Sequence, residues 1–216
     1  MKFKRRFYGG DRPIHTNTPV MVVGGFNLDP TINIKEGDSI PSGVLGSFDE
    51  SERLAKIQKT AKVKSIDAED AKIITLESDM FLSPIFMEGE KVLKTVSGPF
   101  ADAPAILKIA HTSPDSYVVT LDKEITGLKV GDIIMHVIAN TSNNAKLVVD
   151  KPYALIIADS EESDGPGDDE LGVDVTIDSG NGSFYLRRIP PIPSSMLDES
   201  GVFLKYNPNI KFTNSK

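Results

Sequence analysis

At 216 residues the chain has room for one large domain or two small ones. Apolar residues make up 39%, enough for a core, but with no Trp and 7% aromatics that core must rest on Val, Ile, Leu and Ala. The absence of Cys excludes disulfides, a thiolate nucleophile and a thiolate metal site, and fits a reducing compartment. A net charge of −7 argues against a general nucleic-acid binder, which needs surplus Lys and Arg to neutralise phosphate.

Residues 1–31 read as an extended basic arm. Lys2, Lys4, Arg5, Arg6 and Arg12 load its start, and Gly and Pro punctuate a single apolar run, "VMVV" at 20–23. The opening "MKFKRRFYGG" lacks the apolar stretch of a secretory signal. No later run approaches the roughly 18 apolar residues of a membrane span, so no membrane partner is expected and synthesis in a cytosol is. Phosphate contacts by the arm, with stacking by Phe3, Phe7 and Tyr8, would be a nucleic-acid mode. No basic face elsewhere supports it, so the expected partners exclude nucleic acid.

Residues 32–158 read as the main domain. "TINIK" alternates as a strand does, "AKIITLES" is a cleaner strand, and "SERLAKIQKTAKVKSI" fits strand better than helix because of its β-branched residues. Further strands are expected at "KVLKTV", "AILKIAH", "YVVTL", "DIIMHVI", "AKLVV" and "KPYALIIA". Short strands with a turn about every ten residues predict a mostly β fold, a barrel or sandwich, rather than alternating β and α units. Two partial echoes, "IKEGDSI" and "LKVGDII", place Gly37-Asp38 and Gly131-Asp132 where one apolar segment gives way to the next. Gly accepts positive φ, and the Asp carboxylate can accept hydrogen bonds from nearby backbone N–H groups, so both pairs read as turns feeding a strand.

Residues 159–172 carry the acidic run "DSEESDGPGDDE", expected as a mobile surface loop. Close like charges cost on the order of 1 kcal/mol per pair even in water. Its oxygens are of the type calcium takes, but the spacing does not match a calcium-binding loop, so no metal is assigned. Residues 173–216 form a C-terminal β extension: "GVDVTI" and "FYLRRI" as strands, then "PPIPSSMLDE", where prolines forbid a central strand. Ser194 or Ser195 is placed to cap a helical turn there.

No chemical signature emerges. His15, His111 and His136 are scattered, with no paired metal spacing, and neither a nucleophile elbow nor a phosphate-cradling glycine loop occurs. His136, between Met135 and Val137, reads as a core or strand-face residue. No cofactor is expected, and no catalytic residue. Asn140-Thr141-Ser142 and Asn181-Gly182-Ser183 match the glycosylation pattern by chance.

The succession of segments nevertheless resembles a known family. "FYLRRIPPIPSSML", a Gly, then "LKYNPNIKF" resembles the ending of head fibre, or capsid decoration, proteins of tailed phages and prophages. "IKEGDSIPSGVLGSF", "LAKIQKTAKVKSI" and "VVTLDKEITGLKVGDII" follow in a similar order, so the resemblance runs from about Ile32 to Phe212. It weakens in the first thirty residues, and the acidic run is longer than in the family's pattern.

The resemblance implies a non-enzymatic virion protein on the capsid surface, made in the host cytoplasm. Its partner would be the phage major capsid protein, and it would form a homo-oligomer such as a trimer. Assembly residues would be Tyr185, Leu186, Arg187, Arg188, Ile189 and Ile192, with Phe203, Leu204, Tyr206, Ile210 and Phe212, since aromatic residues and Arg are enriched at interface cores. The same residues have a second reading, in which they pack the C-terminal segment onto its own barrel. Lys2, Lys4, Arg5 and Arg6 are the capsid-docking candidates. A carbohydrate- or host-surface-binding β module is the alternative function, weakened by the absence of Trp.

Overall fold

A computed structural model describes residues 14–17, 19–22, 25–35, 39–79, 82–113, 116–156, 160–161, 172–176, 182–197 and 207–213. The chain is mostly β, as its alternating apolar pattern predicts. The strands in chain order are β1 (Phe26–Leu28), β2 (Ser39–Ile40), β3 (Leu45–Asp49), β4 (Leu54–Gln58), β5 (Thr60–Ile66), β6 (Ile73–Leu76), β7 (Lys91–Leu93) and β8 (Ile106–Ser113). They continue with β9 (Ser116–Leu121), β10 (Ile133–Ala139), β11 (Ala145–Leu147), β12 (Ala154–Leu155), β13 (Ser160–Glu161), β14 (Gly172–Val173), β15 (Gly182–Tyr185) and β16 (Ile210–Thr213). No helix among the described residues is long and apolar enough to cross a membrane.

The larger sheet runs β11-β10-β5-β6-β9-β8, with β7 on the other side of β10. It closes on itself. Lys91 bridges Ala105, Val92 N–H donates to Pro104 O, and Ile106 N–H donates to Glu90 O, which joins β7 to the start of β8. The ring β10-β5-β6-β9-β8-β7 is therefore a six-stranded barrel, and closure removes most of the open edges that invite aggregation. Period-2 alternation aims Ala61, Val63, Ile74, Leu76, Val92, Ile106, Val119, Leu121 and Ile134 inward. Phe86, Tyr117 and Ile125 complete this core, and the Tyr117 hydroxyl donates to Phe86 O.

The smaller sheet runs β12-β3-β4-β1-β14, with β1 and β4 parallel. It closes too: Ile156 bridges Val175, and Thr176 N–H donates to Leu155 O. Inside this five-stranded ring lie Phe26, Ile40, Val44, Ala55, Ile57, Ala154, Ile156, Val173 and Val175. Two expected boundaries are thereby corrected. Residues 26–28, placed in the N-terminal arm, Gly172, placed in the acidic loop, and 173–176, placed in the C-terminal extension, are staves of this barrel, because its closure draws on both flanks of the main domain.

The two barrels share one continuous ribbon. β4 and β5 are separated by Lys59 alone, so "LAKIQKTAKVKSI" is strand throughout and not helix. Ala55 and Ile57 fill one core, and Ala61 and Val63 the other.

A third core covers the outer faces of both barrels. Leu45 and Leu155 from the smaller, with Met135 from the larger, meet Phe184, Ile189, Ile192, Met196, Ile210 and Phe212 of the C-terminal segment. There β15 and β16 pair in parallel, and residues 14–16 add a further antiparallel connection through the His15–Phe184 bridge. Each fully buried side chain of this size contributes about 1.5–3 kcal/mol, so the segment is an integral strap. Thr60 Oγ1 donates to Pro191 O at 2.7 Å, and Asn207 Nδ2 to Tyr153 O at 2.9 Å.

Other local expectations shift. "TINIK" forms no strand, although Ile32 is buried, because its neighbourhood is held by turn bonds around Asp29. "SSMLDE" contributes a 3-10 turn at Ser194–Met196 whose N-cap is Pro193, with no side-chain cap bond, so neither Ser194 nor Ser195 caps it. Residues 186–188, expected as strand, form a 3-10 turn instead.

The strap seats on Gly43. This residue has φ +91°, and a Cβ placed there would lie 2.2 Å from Ile189 Cγ2. Gly43→Ala is therefore expected to destabilise by about 1–3 kcal/mol through backbone strain and overpacking. Ile189→Ala is expected to cost about 2–5 kcal/mol by cavity formation. Ile189→Ala removes the Cγ2 contact but keeps a Cβ 2.6 Å from the added methyl, so it relieves part of the collision only, and the double variant in urea denaturation should lose slightly less than the sum of the two single variants.

Candidate functional site

One buried charged cluster stands out, and the pleat explains how it arises. Ala55, Ile57, Lys59, Ala61 and Val63 share one face of the ribbon, so Lys59 points inward where one barrel ends and the next begins. Glu90 lies two residues before inward Val92, and His136 two residues after inward Ile134. The link between β4 and β5, the residue before β7, and β10 thus each carry a polar residue to the same end of the larger barrel. His136 and Val92 are direct cross-strand partners.

The geometry is closely bonded. Lys59 Nζ donates to Glu90 Oε1 at 2.5 Å and to Asn33 O at 2.5 Å, with the Lys59 side chain 1% exposed and Glu90 11%. Met87 N–H donates to Glu90 Oε2 at 2.9 Å, and His136 Nδ1 lies 3.8 Å from Glu90 Oε1. Gln58 finishes the network: its Nε2 donates to His136 O at 2.9 Å and to Lys59 O, while its Oε1 accepts from Val149 N–H. His136 N–H donates to Lys59 O at 3.0 Å.

A lone buried ammonium would cost several kcal/mol, and Glu90 with Asn33 O offsets that. Burial pushes the His136 imidazole below its ordinary value; Glu90 acts against that shift and Lys59 adds to it. Chemically, the arrangement joins the barrels through ionic and amide contacts. Among the described residues, no group of three or more His, Asp or Glu converges to hold a metal. Outside the cluster, a shallow depression lies between Pro84 and Pro190-Pro191, edged by the 2.8 Å Lys62–Glu77 ion pair.

The sequence-derived candidates divide. Ile189, Ile192, Ile210 and Phe212 are buried against the chain's own barrels, so for these four the packing reading describes their place. Leu186 packs half-buried on the same core. Arg187 is exposed, and the Arg188 guanidinium lies 4.3 Å from the centre of the half-buried Tyr185 ring, leaving these three at the surface of the strap. Phe203, Leu204, Tyr206, Lys2, Lys4, Arg5, Arg6, Gly37 and Asp38 lie outside the described residues, as does most of the acidic run.

Gly131-Asp132 is the turn its sequence predicts. Gly131 has φ +91° and donates its N–H to Val63 O, while Asp132 Oδ2 accepts from Lys129 N–H at 2.9 Å. That backbone hydrogen bond, assisted by Lys94 and opposed by desolvation, holds the Asp132 carboxyl below its ordinary range. Sequence reading missed Lys59 and Glu90. Lys56, Lys62 and Lys64 fall on the outward positions of the ribbon and Lys59 alone on the apolar ones, which was the available signal.

Compared with protein-family models, with curated proteins and with solved structures, the chain matches none.

Three measurements check this geometry. The His136 imidazole should titrate below 6.5 by NMR. Its folded value lies under its unfolded one, so its share of stability is full above the unfolded value and is lost as pH falls below about 6.5. His136→Gln should remove that part of the pH dependence in denaturant titrations. Asp132→Ala should cost about 1 kcal/mol by loss of the turn bond, seen as a lower urea midpoint with unchanged slope.

Proposed function

We propose that this chain is a non-enzymatic attachment protein of a phage virion, of the head fibre or decoration type, which binds the capsid exterior. The observation that carries the reading is the way the interior is used. Both barrels are filled by their own side chains, the strap covers their outer faces, and the buried ionisable groups of the seam are bonded to one another. Such a body acts through its surface. The order of segments from Ile32 to Phe212, which resembles head fibre proteins, supplies the identity of the partner as the major capsid protein.

The strap also supports the reading, since it ties the chain's two ends together. Residues 14–16 bond to β15, in the same segment as the exposed Arg187. Cationic groups clustered in the first twelve residues of a chain of net charge −7 suit docking on an acidic protein surface. Assembly as a homo-oligomer belongs to the same proposal, and light scattering reads its number.

The test mixes purified protein with capsids that lack it and images them by negative stain. Ordered density at regular capsid positions is expected. Deleting residues 1–12 should leave folding intact and weaken capsid binding, and binding of the full chain should fall in a salt titration, because salt screens charge attraction beyond about 8 Å at physiological ionic strength; unchanged binding would remove the docking role of the arm. Glycan-array binding without capsid binding would replace this reading with the host-surface module.

A further inference from the structure

The strap carries a charge pattern that the barrels beneath it do not share. We infer that its outer face is the part of the folded body that docks on an acidic protein surface, with Arg187 and Lys211 meeting carboxylates and the stacked Tyr185–Arg188 pair supplying the aromatic contact. That the acidic surface belongs to the capsid rests on the attachment reading above; the chemistry of the face does not.

The pleat builds this face. In β15 and β16, Phe184, Ile210 and Phe212 turn into the third core, so Ser183, Tyr185, Lys211 and Thr213 turn outward. The parallel register sets Lys211 opposite Ser183 and Thr213 opposite Tyr185, and Lys211 is exposed. The 3-10 turn at Leu186–Arg188 follows at once, with Arg187 exposed and the Arg188 guanidinium over the Tyr185 ring. Thr213 Oγ1, on the same strand position, is covered and makes no hydrogen bond. Tyr185 N–H donates to Ile14 O, two residues after Arg12, so the basic start of the chain is tethered to the strand that leads into the strap's own cations.

Charge sets the kind of partner. The described residues of the strap, with 14–17, include Arg187, Arg188 and Lys211 and neither Asp nor Glu, in a chain of net charge −7. On the barrels Lys56, Lys62, Lys72, Lys94 and Lys146 each face a carboxylate of this chain at 2.8–3.7 Å. Arg187 and Lys211 have no such carboxylate among the described residues. An acidic protein surface supplies it, through the bidentate geometry that Arg offers a carboxylate. Tyr and Arg are also the residue types that dominate interface cores. Nucleic acid fits less well, because the chain's net negative charge repels an extended phosphate backbone.

The test compares two full-length variants of equal charge change on capsids that lack the protein. Arg187→Glu with Lys211→Glu should weaken binding by about tenfold or more at an unchanged urea midpoint. Lys64→Glu with Lys108→Glu, at two exposed lysines of the larger barrel, should weaken it by less than about threefold. Losses of equal size, no loss, or a larger loss in the barrel variant would overturn the inference and leave attachment standing. If the wild-type protein does not bind capsids, the attachment reading fails, and an NMR titration of the wild-type chain with poly-L-glutamate decides the inference instead. Amides of 183–187 and 211–213 should then shift ahead of those in β6 and β9. Uniform shifts, no shifts, or tighter binding of single-stranded DNA at the same salt would overturn it. The same titration decides the question if the strap variant does not fold.

Discussion

The ion pair between Lys59 and Glu90 is the constraint on which the rest of the structure depends. A single ribbon passes from one barrel to the other, and at the crossing its inward position is filled by a cation. An apolar residue there would let the two cores merge or slide. A buried cation fixes its carboxylate, the carboxylate fixes the approach to β7, and β7 closes the larger barrel through β8 and β10. A buried ion pair adds little net stability over apolar residues of similar volume, but removing one partner is costly because the other charge is left buried.

Around that joint the fold is assembled from short-range choices. Pleat alternation fills two rings with Val, Ile, Leu and Ala, as the lack of Trp requires. Positive-φ glycines make the reversals, as at Gly131, and at Gly43 the missing side chain admits Ile189 of the strap. The strap then covers residues such as Leu45 and Leu155, which face out of their own barrel and would otherwise be exposed apolar surface. Three of the four apolar clusters among the described residues share their walls, in a chain with 14 prolines and few aromatics.

Much of this was legible in the sequence, and the misses have physical causes. Strand after strand from Ile73 to Ala139 follows the alternation, and Gly131-Asp132 is the turn it reads as. "TINIK" alternates just as well but forms no strand, because pattern reports burial and not pairing. The contributions of 26–28 and 172–176 to the smaller barrel were invisible, since ring closure joins residues some 150 positions apart with no local mark. Ile189, Ile192, Ile210 and Phe212 had two readings, assembly or packing on the chain's own barrel, and they are buried on the latter; composition cannot tell an own-chain cover from a partner's. Lys59 was the one position where the sequence carried more than was read: a cation on the apolar register of a strand.

A double-mutant cycle on Lys59 and Glu90, with stability followed by urea denaturation at pH 7, tests the seam most directly. If the pair locks the joint, Lys59→Met and Glu90→Leu alone should each cost about 3–5 kcal/mol, by stranding the other charge. Together they should cost less than either alone. Two single losses that simply add, or that are both near zero, would contradict the ionic seam as the joint of the fold.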